Sequence, residues 1–107
     1  MDWIETIRRC FNLGSVVYTR HARLEMKGEK FGHILEKEVY EAVCSGEVVE
    51  VYLEDVPYPS VLILGRTETN RPLHIVSAYS QEEDLVIVVT VYHPDPDLWI
   101  DYRRRKE

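Results

Sequence analysis

The stretch GEVVEVYLEDVPYP, Gly46 to Pro59, divides the chain into two halves with different hydrophobic periods. Before it, Leu35, Val39, Ala42 and Val43 recur at helical spacing, and Gly46 supplies a residue able to end a helix. Within it, Val49, Val51 and Leu53 alternate with Val48, Glu50, Tyr52 and Glu54, the period of a half-buried strand. Asp55-Val-Pro-Tyr-Pro59 then breaks the strand, because proline cannot donate to a ladder. The chain therefore reads as helices first and strands afterwards.

Upstream, Asp2 is placed to cap a helix through Ile4, Ile7 and Phe11 that stops at Gly14. Val16 to Tyr18 reads as a short extended link, and Thr19 as the cap of a second helix with Ala22 and Met26 on its buried stripe and Gly28 near its end. Downstream, strands are predicted at Ser60 to Arg66, Leu73 to Tyr79 and Leu85 to Tyr92. The connections between them are too short for parallel crossovers, so the expected fold is α+β with a four-stranded antiparallel sheet.

At 107 residues the chain has the size of a single domain, with residues 1–14 forming an additional N-terminal helix and residues 103–107 a basic tail. No apolar run is long enough for a membrane span, and no leader for secretion is visible, so a cytoplasmic location is expected. Cys10 and Cys44 have neither metal-ligand spacing nor the pattern of a disulfide framework and read as reduced thiols; no metal or other cofactor is expected. The formal net charge of -6 disfavours a general polyanion binder. Its distribution is uneven: Arg20, Arg23 and Lys27 share one predicted helix face, Arg103, Arg104, Arg105 and Lys106 form the tail, and acids crowd the middle. This pattern suits a basic site on an acidic body, or an acidic face meant for a basic partner.

His74 lies inside a predicted strand, where an imidazole needs a hydrogen-bond partner or a wet groove. If the last hairpin has a three-residue loop, Gln81 to Glu83, His74 faces Thr90, and Tyr92 shares the same face. A two- or four-residue loop without a bulge puts His74 and Thr90 on opposite faces. His21, in the first turn of the second helix, offers a second imidazole beside Arg20, Arg23 and Lys27. Two histidines, a tyrosine and arginines suffice for metal-free transfer of a phosphodiester to a neighbouring 2′-hydroxyl. Each residue also has a simpler explanation: a structural hydrogen-bonding histidine, ordinary strand residues at Thr90 and Tyr92, a solvated helix face, a free tail. His33 and His93 read as turn residues, and in HPDPDLW Asp95 and Pro96 would open a short helix that packs Trp99 on the sheet.

Together, HARLEM (His21–Met26), GEVVEVYLEDVPYP, RPLHIV (Arg71–Val76) and TVYHPDPDLW (Thr90–Trp99) resemble a small prokaryotic domain-of-unknown-function family. Its members are often encoded beside zinc-finger antitoxins of the MqsA type, and the family looks like part of the RelE/ParE/MqsR-like toxin group. The resemblance spans about Tyr18 to Arg105. It implies a RelE-like fold, a toxin of a type II toxin–antitoxin system, RNA and a zinc-finger antitoxin as partners, and His21, Arg23, His74, Thr90 and Tyr92 as the site. The expected activity is metal-independent cleavage of messenger RNA: one of His21 and His74 takes the 2′-hydroxyl proton, and the other, or Tyr92, protonates the leaving oxygen. Arg20, Lys27, Arg103, Arg104 and Arg105 are the expected RNA contacts, with the tail folded towards the His21 helix. The rival expectation is a non-enzymatic module that grips gyrase or an antitoxin, as ParE-like proteins do.

Overall fold

The computed structural model describes residues 1–107. Three helices precede the run of strands that begins at Glu47: α1 (Trp3–Asn12), α2 (Arg20–Gly28) and α3 (Glu36–Ser45). Their starts follow local chemistry. The Asp2 carboxylate accepts from the Glu5 amide at 3.3 Å, Thr19 Oγ1 accepts from the Ala22 amide at 3.0 Å, and the Glu38 side chain reaches back to the Leu35 amide at 2.9 Å. Gly14, at φ 72°, takes the left-handed turn that follows α1.

The sheet has five strands rather than four, and it is mixed. β2 (Glu47–Tyr52), β3 (Ser60–Arg66), β4 (Pro72–Ser80) and β5 (Leu85–Tyr92) form the expected antiparallel meander. The supposed link Val16–Tyr18 is a further strand, β1, which pairs parallel to β5, giving the order β1-β5-β4-β3-β2. Past β1 the outer side of β5 is closed by side chains instead of a strand: Thr19 Oγ1 donates to the Val89 carbonyl at 3.1 Å, Glu25 accepts from the Val91 amide at 3.2 Å, and Glu29 accepts from the His93 amide at 3.2 Å. One threonine thus caps α2 and fastens it to β5.

The helices cover one face of the sheet. Ile7, Cys10, Ala22, Met26, Ile34, Val39, Ala42 and Val43 pack against Val61, Ile63, Leu73, Ile75, Tyr79, Val86, Val88 and Val91. A Cβ on Gly65 would lie 1.8 Å from the Ala42 carbonyl oxygen, so glycine is what lets α3 rest directly on β3.

The last hairpin departs from the expected geometry twice. Ser80 pairs with Leu85, making a four-residue loop, and the register shifts by one residue between Ser77↔Val88 and Val76↔Thr90, leaving Val89 as a bulge. The two departures cancel in side-chain direction. His74 pairs with Tyr92, not Thr90, and all three still point to one face, away from the helices. Beyond Tyr92, Asp95 organises a turn through Asp97 and Trp99, with no short helix. The chain then forms a small separate hairpin of β6 (Trp99–Ile100) and β7 (Arg104–Arg105).

Candidate active site on the open sheet face

Register places two rows of side chains across the face opposite the helices. Tyr92, His74, Leu64 and Glu47 form one, and Thr90, Val76, Leu62 and Glu50 the next. The C-terminal hairpin lies over them. His74 is fully buried, with 0% of its surface accessible. Its Nε2 is 2.6 Å from the Tyr102 carbonyl oxygen and its Nδ1 is 3.0 Å from the Tyr92 hydroxyl. A carbonyl only accepts, so Nε2 carries the proton; in the neutral ring Nδ1 accepts from the Tyr92 O–H. The Trp99 ring meets the imidazole edge-on at 4.5 Å between centroids.

Burial lowers the His74 pKa below the ordinary value, with the Tyr102 carbonyl and Glu50 pulling the other way and Arg105 adding to the decrease. Burial raises the Tyr92 hydroxyl, and the negative charges of Glu50 and Glu25 assist while Arg105 opposes. At neutral pH the pair is therefore a neutral imidazole beside a protonated phenol.

The hairpin is held to β2 by charge. Arg105 pairs with Glu50 at 3.2 Å and lies 4.7 Å over the Trp99 ring, and Arg103 pairs with Glu47. Burial pushes Glu50 upward, but hydrogen bonds from Tyr52 and Arg105 outweigh it and hold the carboxyl below its usual range. Tyr52 is pushed up to about 12, by burial first and then by its bond to Glu50.

The remaining expected site residues are dispersed. Thr90 sits two pairs along from Tyr92, in the next row of the same face, half-buried and opposite Val76. His21 is exposed and pairs with Glu25 at 3.2 Å; no hydrogen bond, ion pair or ring contact joins it to His74. Glu25 is the link between His21 and β5 through the Val91 amide, and burial raises its carboxyl while that amide opposes the shift. Arg23 pairs with Glu36 at 3.1 Å and lies 5.1 Å over the Tyr18 ring. Arg20, Arg23 and Lys27 line a groove of about 430 Å³ with His33 and Glu36, floored by Leu24, Met26, Ile34 and Leu35. The expected convergence of the basic tail on the His21 helix does not occur: Arg103 and Arg105 are bound to β2, and Arg104 is exposed. The reason is electrostatic, since β2 presents Glu47 and Glu50 towards the tail whereas α2 presents further cations.

Sequence reasoning missed Glu47, Glu50 and the Tyr102 carbonyl as neighbours of His74. Position 74 pairs with Leu64, and Leu64 with Glu47, so the expected meander order held this row and only the register, shifted between Val48 and Glu50 on β2, was missing. No sequence signal marks a backbone carbonyl 28 residues away.

The fold and site define a small α+β protein with a five-stranded mixed sheet and, on its helix-free face, a buried histidine bonded to a half-buried tyrosine. The chain belongs to the family described as Domain of unknown function (DUF4258), whose model matches residues 18–93. No curated protein and no solved structure matches it. The match begins at the end of β1 and ends just past β5, so α1 and the β6–β7 hairpin lie outside it. No helix is long and apolar enough to cross a membrane.

Proposed function

We propose that the protein is the toxin-like component of a type II toxin–antitoxin system, a RelE-like, metal-independent endoribonuclease acting on messenger RNA, with a zinc-finger protein as its antitoxin. The observation that carries this reading is the His74–Tyr92 pair: a neutral imidazole and a proton-bearing phenol, hydrogen-bonded at 3.0 Å on the face away from the core. In the reacting arrangement the Tyr102 carbonyl is withdrawn and Nδ1–H donates to the Tyr92 oxygen, so the Nε2 lone pair is free to take the 2′-hydroxyl proton. The 2′-oxygen attacks phosphorus, the bond from phosphorus to the 5′-oxygen breaks, and that oxygen takes a proton from Tyr92. Arg105, whose charge acts on both His74 and Tyr92, and Arg103 on the same hairpin offer cations for the charged phosphorane, and Arg20, Arg23 and Lys27 offer a second phosphate-binding surface. His21 remains the alternative acid, held at the same strand through Glu25.

The test is cleavage of a defined RNA by purified protein, with H74Q and Y92F checked for native circular dichroism. Loss of cleavage in folded H74Q, with wild-type products ending in cyclic phosphate, supports the scheme; 5′-phosphate ends refute it. A second reading, a non-enzymatic interaction module, is favoured by the groove between α2 and α3, where Leu24 and Leu35 are exposed among cations. Binding that survives H74Q and fails on L24E would move that reading ahead.

A further inference from the structure

We propose that the C-terminal hairpin is a displaceable cover that keeps the His74–Tyr92 site closed, an inference that rests on the reading of this pair as the reacting centre. Three features of the hairpin point to it. First, the hairpin makes no strand pairing with the main sheet; β6 and β7 pair only with each other. Its side-chain attachments are the Arg103–Glu47 and Arg105–Glu50 pairs, the Arg66 guanidinium 5.7 Å over the Tyr102 ring, the Trp99 ring against the imidazole, and the His74 bond to the Tyr102 carbonyl.

Second, the turn is strained. Asp101 and Tyr102 occupy left-handed conformations at φ 52° and 62°, and the Arg103 amide closes on the Ile100 carbonyl at 3.0 Å, a β-turn inside the three-residue loop between Ile100 and Arg104 whose two central residues have the conformation that favours Asn-Gly. A tyrosine there costs roughly a factor of ten in population. The carbonyl that His74 grips is that of the strained residue itself. The closed state is therefore held by contacts and opposed by backbone conformation, which is the balance expected of a segment with two positions.

Third, the latch has the chemistry of the ligand it excludes. Glu47 and Glu50 occupy the arginines that a phosphodiester chain would take, so RNA competes directly with the latch, and the exchange frees Nε2. His93 is anchored by its amide on Glu29 and Leu98 belongs to the hairpin through its carbonyl on the Lys106 amide, so Asp95 to Asp97, around Pro96, is the connection about which the hairpin can swing without disturbing the sheet.

Carbethoxylation by diethylpyrocarbonate, followed by mass spectrometry of His74 peptides, reads the cover without reference to activity; exposed His21 and His33 serve as internal controls. Removing the two surface ion pairs in E47Q/E50Q should raise the His74 modification rate about tenfold. Replacing the turn with its preferred residues in D101N/Y102G should lower it about threefold, the relieved turn outweighing the lost Arg66 contact. RNA cleavage measured on the same proteins should follow the same order. If His74 reactivity follows the latch and cleavage is absent from every variant, the cover stands and the ribonuclease reading falls. If cleavage occurs while His74 reactivity is the same in all three proteins, the cover is refuted.

Discussion

Replacing Gly65 with alanine tests whether α3 and β3 meet backbone to backbone. The added Cβ would stand 1.8 Å from the Ala42 oxygen, 2.5 Å from its carbonyl carbon and 2.9 Å from its Cα. No side chain is available to turn aside, so α3 must retreat by roughly 1.5 Å to restore ordinary contact. The retreat opens a gap between Val39, Ala42 and Val43 on the helix and Val61 and Ile63 on the strand, all fully buried. Gaps of that size forfeit half or more of the dispersion well of each facing atom, and overpacking in a filled core typically costs about 1–3 kcal/mol. Because backbone opposes backbone, the loss belongs at or above the top of that range, about 3 kcal/mol. For a chain of this length that corresponds to a fall in Tm of roughly 12 °C or more. Urea unfolding followed by circular dichroism measures it, with G28A as the control, since nothing lies within 4 Å of a Cβ there. A Gly65→Ala protein within about 1 kcal/mol of wild type, alongside an unperturbed G28A, would refute the close approach.

His74 is protonated less readily in the folded chain than when unfolded, so its contribution to stability is complete above about pH 6.5 and is lost as pH falls towards its lowered folded value. Wild type should therefore lose more stability than H74Q between about pH 7 and 5 in denaturant titrations, a difference that separates His74 from Glu50, whose lowered pKa acts further into acid. Thr19→Val removes both the α2 cap and the bond to Val89 and should cost about 1–2 kcal/mol, read as a lower urea midpoint at unchanged slope. Asp84 receives two bonds from Arg9 at 2.6 Å and one from Tyr79 at 2.6 Å, so D84N should lower Tm, and high salt should narrow the difference by weakening the wild-type pair.

The caps at Asp2 and Thr19 and the meander from Glu47 to Tyr92 are legible because each is specified by neighbours in sequence. β1 is not: three residues show no period, and its parallel partner is about 70 positions away. The face shared by His74, Thr90 and Tyr92 was readable, although the pairing was not, because a longer loop and a bulge shift register in compensating steps. The alternation in Gly46–Pro59 was legible only in part. The ladder skips Val49, so Val48 packs towards the core and Glu50 turns to the opposite face, while Leu53 falls beyond the strand and is exposed. The tail was the least readable element, since Asp101-Tyr102 lacks the residues that normally announce a tight hairpin, and its acidic partners are more than 50 residues distant.

The side chains that close the outer rim of β5 bear on how copies of this chain associate. On that side an incoming strand finds only the three residues of β1, followed by amides already occupied by Glu25 and Glu29 and a carbonyl occupied by Thr19. β2 is the one long rim still open. A sheet with a single usable rim has valence one: two copies joined through β2 make a closed symmetric pair with no rim left for a third, so strand addition ends at a dimer and cannot grow into a fibre.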